Sequence, residues 1–246
     1  MSVMLQRVLF LPDAHTPHHD RRALEHLIIG KVLPAFRWHT ICVLGDWWDN
    51  DSISTFVRKP TRERSWKKES ACGIRLLAEI AKTPAERYIL LRGNHEQRLE
   101  RVLADKLPAL YEEVLSKTSH SLEWEVVEYQ RSTSIGKLNV THDLGYGGIN
   151  STQQSLAACG DNLVIGHNHN MTYIVRGNAM GDYHVGASFG WLGDYRKIDY
   201  RHRMRVQREW VLGLGIGYLQ PNGIIHLQPV PIVRYGAVIE GRLFQA

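Results

Sequence analysis

Five times along this chain a short apolar run breaks off into side chains that bind metals: Asp13-Ala14-His15, Gly45-Asp46-Trp47-Trp48-Asp49, Gly93-Asn94-His95-Glu96, Thr141-His142-Asp143 and Gly166-His167-Asn168-His169. Short apolar runs that stop at such residues are buried strands with their polar groups at one end. In open α/β sheets, ligands collect beyond the carboxyl ends of the strands. The pattern therefore constrains the chain to an α/β fold with one crowded polar rim. Asp, Asn and His in this mixture favour a hard or borderline cation, whereas a thiolate-rich set points to structural zinc or an iron–sulfur cluster.

The segments between these motifs support that reading. Leu5–Leu11 reads as a buried strand, Arg21–Leu33 as a helix with Pro34 near its end, and Thr40–Leu44 as the next strand. A polar loop leads to a helix over Ser65–Lys82, closed by Thr83-Pro84. Arg87–Leu91 follows as a third strand and Glu96–Leu107 as a helix. This is the alternation of β-α-β units. Beyond it, Val126–Tyr129, Lys137–Thr141 and Asn162–Ile165 read as strands, with a helix over Ile149–Cys159. Past Gly166 the helical signal fades into strands at Tyr173–Arg176, Tyr183–Val185, Trp210–Leu219 and Ile224–Leu227, the last two joined by a turn at Pro221-Asn222-Gly223. A mostly parallel first sheet giving way to a more antiparallel second one is expected, packed face to face with helices outside. With 43% apolar residues, no linker and no repeat, all 246 residues are expected to form a single domain.

No stretch approaches the roughly 18 apolar residues of a membrane helix, and the run Val8–Leu11 is too brief for a signal-peptide core, so a cytoplasmic protein without membrane partners is expected. Cys42, Cys72 and Cys159 are odd in number and lack CxxC spacing, as expected of reduced structural thiols. The net charge of +5 is uneven. One basic cluster runs from Arg58-Lys59 through Arg62, Arg64, Lys67 and Lys68, and another from Arg196 and Lys197 through Arg201, Arg203, Arg205 and Arg208, interleaved with Trp66, Tyr195, Tyr200 and Trp210. Cations beside rings suit a polyanion whose bases stack; a solvated charged face is the other reading.

The spacing within the motifs is chemically specific. Asp13 and His15 lie two apart after a strand, so in an extended backbone both leave on the same face and reach one ion. His167 and His169 repeat that offset. Asp46 follows its strand directly, and the two oxygens of one carboxylate can bridge cations about 3.5–4 Å apart.

In this order the five motifs resemble the calcineurin-like metallophosphoesterase superfamily, over about two-thirds of the chain. The resemblance implies a four-layer α-β-β-α sandwich of two packed mixed sheets, with a dinuclear site at the strand ends. It implies that Asp13, His15, Asp46 and His169 hold one divalent ion and that Asp46, Asn94, His142 and His167 hold the other. Manganese is the first expectation for the two ions, and the same O/N ligand set also accepts iron, zinc or nickel, so the sequence does not name the metal. His95 matches the position assigned to catalysis, donating a proton to the leaving oxygen, and Asp49 matches a carboxylate that orients it. The reaction implied is metal-assisted in-line hydrolysis of a phosphate ester.

Protein phosphatases of this superfamily carry Arg-Gly after the second Asp of the second motif, where this chain has Asn50-Asp51. Together with the basic clusters and Trp47 and Trp48, that turns the expectation toward a phosphodiesterase or nuclease acting on DNA, RNA or a nucleotide. Arg92 and Arg98 flank the third motif as candidate phosphate contacts, with Arg101 weighed beside them. A phosphomonoesterase acting on small molecules or phosphoproteins is the alternative, and a non-catalytic nucleic-acid-binding protein a remote one. The sequence leaves the oligomeric state open.

Overall fold

The computed structural model describes residues 4–54, 65–119, 123–197 and 209–246. In chain order the strands are β1 (Gln6–Leu11), β2 (Trp38–Val43), β3 (Ala85–Leu91), β4 (Glu125–Val127), β5 (Ser132–Ile135), β6 (Leu138–Thr141), β7 (Leu163–Ile165), β8 (Met171–Gly177), β9 (Tyr183–Phe189), β10 (Gly213–Leu219), β11 (Ile225–Pro231), β12 (Gly236–Ile239) and β13 (Arg242–Gln245). The α-helices are α1 (Trp66–Ala81), α2 (Asn94–Lys106), α3 (Tyr111–Ser119) and α4 (Ser151–Cys159). The expected first helix is present as Arg22–Val32, wound with π-type hydrogen bonds. No helix of the described residues is long and apolar enough to cross a membrane.

Two large mixed sheets make up an α/β fold. The first has the order β11-β10-β1-β2-β3-β4 and the second β5-β6-β7-β9-β8. β1, β2, β3 and β4 run parallel, as β-α-β crossovers require. One expectation fails here. The C-terminal strands do not extend an antiparallel second sheet; β10 pairs antiparallel with β1, and β11 with β10, at the edge of the first sheet. The reason is pairing across about two hundred residues, which no local periodicity encodes. Helix α3, strand β5 and the β12–β13 hairpin also lie outside the segments expected from sequence.

Strand β1 explains why its sequence is a continuous apolar run. Val8 and Phe10 face the second sheet, where Phe10 meets Phe189 at 5.2 Å between ring centroids. Leu9 and Leu11 face the opposite way, into a core with Leu24, Leu27 and Ile28 of the first helix and Leu76, Leu77 and Ile80 of α1. A strand buried on both faces has no polar alternation to show. On the far side of the second sheet, α4 packs Leu156 against Leu163 and Ile165.

A small network anchors the first helix. The Glu25 carboxylate lies 2.9 Å from His19 Nε2 and receives hydrogen bonds from Arg75 and Arg21. Burial opposes its ionisation, yet hydrogen bonds from His19 and Arg75 hold its pKa down at about 2. A depressed carboxylate contributes stability that is complete above its ordinary value near 4.5 and is lost as pH falls from there toward 2. Glu25→Gln is expected to lower stability by about 2 kcal/mol at neutral pH and to flatten the acid limb of that profile. Urea unfolding at pH 7, 4 and 2.5 checks this; equal losses at all three values would refute it.

Candidate metal centre

The carboxyl ends of β1, β2, β3, β6 and β7 meet at one rim, and all seven predicted ligands come together there. His169 Nε2 lies 3.2 Å from Asp13 Oδ2 and 3.1 Å from His15 Nε2. In a second group, Asn94 Oδ1 lies 2.9 Å from His167 Nδ1 and 3.2 Å from His142 Nε2, which stands 3.5 Å from Asp46 Oδ2. That same Asp46 oxygen is 3.9 Å from His15 Nε2, so it stands between the two groups. Asp13, His15 and His169 form one cluster that could hold a metal ion, and Asp46, His142 and His167 another.

The local backbone is bent to achieve this. Asp13, His15, Asp46, His167 and His169 all have positive φ, between 25° and 69°. Such conformations cost of order 1 kcal/mol or more each and persist where the surroundings over-determine them. Cross-ties between the loops supply that constraint, with the His15 N–H donating to Asp46 O at 2.9 Å, the Leu192 N–H to Asp13 O at 3.0 Å and the Val211 N–H to His169 O at 3.0 Å. The extended backbone expected for Asp13 and His15 is therefore wrong; both side chains reach the site through left-handed turns instead. Gly93 is required for close approach, because a Cβ there would collide with Asp46 Oδ1.

The donor chemistry fits a divalent cation. Asp13 is wholly buried, and neither carboxylate oxygen has a hydrogen-bond partner. Burial pushes its pKa up to about 6, against the pull of His142. An uncompensated buried carboxylate costs several kcal/mol, and a cation among Asp13, His15 and His169 removes that cost. Burial pushes His169 down to about 3 and lowers His15, so both rings are neutral with lone pairs to offer. Around His142 the order reverses: burial works against its charge, but Asp46 raises it to about 10. His142 Nδ1 sits 2.8 Å from Leu44 O, a bond in which it donates, which turns Nε2 toward Asp46 and Asn94.

Asp49 lies between two rings. Its Oδ1 is 3.0 Å from Nδ1 of both His15 and His95. Burial opposes its charge, but hydrogen bonds from His15 and His95 hold its pKa well below the usual carboxylate range. For His95, burial works against the charged form, whereas Asp46 and Asp49 raise its pKa overall. His95 Nε2 lies 3.8 Å from Asp46 Oδ2 and 2.9 Å from Arg98 Nη2. A guanidinium only donates, so in this arrangement Nε2 accepts and the ring proton sits on Nδ1.

Other predicted contacts fall differently. Arg98 is at the site, through His95 and the Asp49 carbonyl. Arg92 is held by Glu100 at 2.7 Å, and Arg101 is an exposed helix residue. Trp47 and Trp48 are buried in the main core, with their indole N–H groups donating to Gly73 O and Ser70 O, so neither presents a face to a base. Trp210 packs edge-on against His169 at 4.5 Å. Arg58 to Arg64 and Tyr200 to Arg208, most of both basic clusters, lie outside the described residues.

Sequence reasoning missed Trp191, which stacks on His169 at 5.0 Å and 18° and carries no local signal of that role. It also missed Glu96, whose carboxylate receives backbone N–H groups from two ligand loops. The signal for Glu96 was present: a carboxylate at the third position of a helix whose start carries Asn94 and His95 is a helix-capping arrangement.

No protein-family model matches this chain, and no curated protein is similar to it in sequence. Among solved structures, it is similar to Haemophilus influenzae NAD nucleotidase, with a TM-score of 0.40 and 12% identity over 95% of this chain. The chain spans about half, 51%, of the length of that structure.

Proposed function

We propose that this protein is a phosphoesterase dependent on two divalent metal ions, of calcineurin-like type, with residues 1–246 forming one α-β-β-α sandwich domain. The observation that carries this is the meeting of Asp13, His15, Asp46, Asn94, His142, His167 and His169 at one rim, with the buried carboxylate of Asp13 lacking any hydrogen-bond partner. Asp13, His15 and His169 would hold one ion and Asn94, His142 and His167 the other, with Asp46 shared between them. Two such ions, when bound, lower the pKa of water and neutralise charge on phosphoryl oxygens.

The remaining chemistry belongs to the side chains. His95, turned by Asp49, delivers a proton through Nε2 to the departing oxygen. Arg98 occupies that nitrogen at 2.9 Å, so Nε2 must first be freed, when a phosphate draws the guanidinium away. It then takes up a proton from solvent to give the imidazolium that Asp46 and Asp49 favour, and that proton is the one passed to the departing oxygen. Asn50-Asp51 in place of Arg-Gly supports a phosphodiester over a phosphoprotein, in DNA, RNA or a nucleotide.

With manganese added, bis(p-nitrophenyl) phosphate is expected to be cleaved in preference to p-nitrophenyl phosphate, with activity abolished by EDTA and restored by Mn²⁺. Cyclic nucleotides and single-stranded DNA extend the panel. Cleavage of DNA is expected to weaken steeply with salt, as phosphate contacts require. A monoester preference would establish the phosphomonoesterase instead. Nucleic-acid binding without any bound divalent ion would overturn the enzymatic reading altogether.

A further inference from the structure

We propose that Glu96 is the positioning residue that sets Asp46 in register with the Asn94–His95 turn, an inference that rests on the two-metal reading above. Glu96 is 7% exposed and carries no ligand atom of either cluster. Its Oε2 accepts from Gly93 N at 2.7 Å and Asp46 N at 3.1 Å, and its Oε1 accepts from Trp48 N at 2.8 Å. The Gly93 bond caps its own helix. The other two reach across to the loop after β2, where left-handed Gly45 and Asp46 turn the amides of Asp46 and Trp48 toward one point. Successive amides in such a turn form an anion-binding concavity, and here the anion is a side chain of the opposite ligand loop.

The tie is reciprocal. Asp46 Oδ1 accepts the His95 N–H at 2.9 Å, so each loop contributes a carboxylate to the backbone of the other. Oδ1 is thereby committed, and Oδ2 alone is left among His142, His15 and His95 at 3.5–3.9 Å. Asn50 adds a third tie, its amide donating to His95 O at 3.0 Å. Glu96 thus decides where the shared carboxylate stands relative to both clusters while contributing no ligand atom to either.

Glu96→Gln is nearly isosteric, but its amide NH2 must face at least one backbone N–H, because all three bonds to Glu96 are donated to it. Glu96→Asp keeps the charge and the cap but is one methylene too short to span both loops. The measurement is Mn²⁺ titration of the whole purified protein by calorimetry, with circular dichroism to verify folding and turnover of bis(p-nitrophenyl) phosphate alongside. Both variants are expected to fold and to bind Mn²⁺ about 10–100-fold more weakly than the parent, the usual effect of losing a residue that orients a metal ligand. The turnover number is expected to fall more than KM rises, even at saturating Mn²⁺.

Folded variants with parental Mn²⁺ affinity and turnover would overturn the assignment. So would failure of both to fold without metal, which would make Glu96 a general structural residue. If the parent protein itself binds no Mn²⁺, it is the two-metal reading that fails.

Discussion

Asp46→Ala is expected to abolish turnover, by more than about a thousandfold, and to leave the protein with fewer than two bound divalent ions. Among the described residues, no other side chain stands between the two clusters as this one does, with Oδ2 within 3.9 Å of His15, His95 and His142 at once. Its Oδ1 meanwhile holds the first turn of α2 through the His95 N–H. Alanine removes both contacts. Asp46→Asn separates them, since the amide oxygen keeps the bond to His95 N–H while the charge beside the metal groups is lost; it is expected to fold like the parent and to remain as inactive as alanine. Metal content of the purified variants, with turnover of bis(p-nitrophenyl) phosphate, tests this. Two ions bound with full activity in Asp46→Ala would remove the shared-carboxylate assignment.

His95→Ala is expected to behave in the opposite way, keeping both metals and losing rate according to the leaving group. General acids contribute about 10²- to 10⁴-fold, and only where the departing oxygen needs a proton. Hydrolysis of a dinucleotide or other alkyl diester is therefore expected to fall by about that factor, while a p-nitrophenyl ester falls little, because its leaving group departs as an anion. Asp49→Asn is expected to share this pattern and also to weaken metal binding, since the same oxygen orients His15. Full activity of His95→Ala on the alkyl diester would show that the proton comes from elsewhere.

The five segments of candidate donors and their places after apolar runs were legible from residue types alone; the division of those donors between two ions came from the family resemblance. Asp, Asn and His after apolar runs announce themselves locally, because a buried strand needs continuous apolar side chains and a ligand needs a specific heteroatom. Glu96 was less visible, since its role lies in accepting amides from a loop about fifty residues earlier. Trp47 and Trp48 show the reverse error: adjacent to Asp46 in sequence, they read as stacking surfaces, yet the large apolar area of indole draws them into the core against α1. Arg92 reads as a phosphate contact from its place beside the third motif, and only the tertiary structure shows that its guanidinium is paired with Glu100, eight residues on.

What the chain encodes locally, then, is the alternation of strands and helices through the first three motifs and the identity of every candidate ligand. Tertiary structure alone decided three things: that β10 and β11 join the first sheet, that Asp13 and His15 reach the rim through left-handed turns, and that Asp46 keeps one oxygen for the clusters while the other is committed to α2. The physical reason is range. Apolar periodicity and donor chemistry are properties of a few consecutive residues, whereas strand pairing, strained turns and the sharing of a carboxylate are settled by contacts between segments tens to hundreds of residues apart.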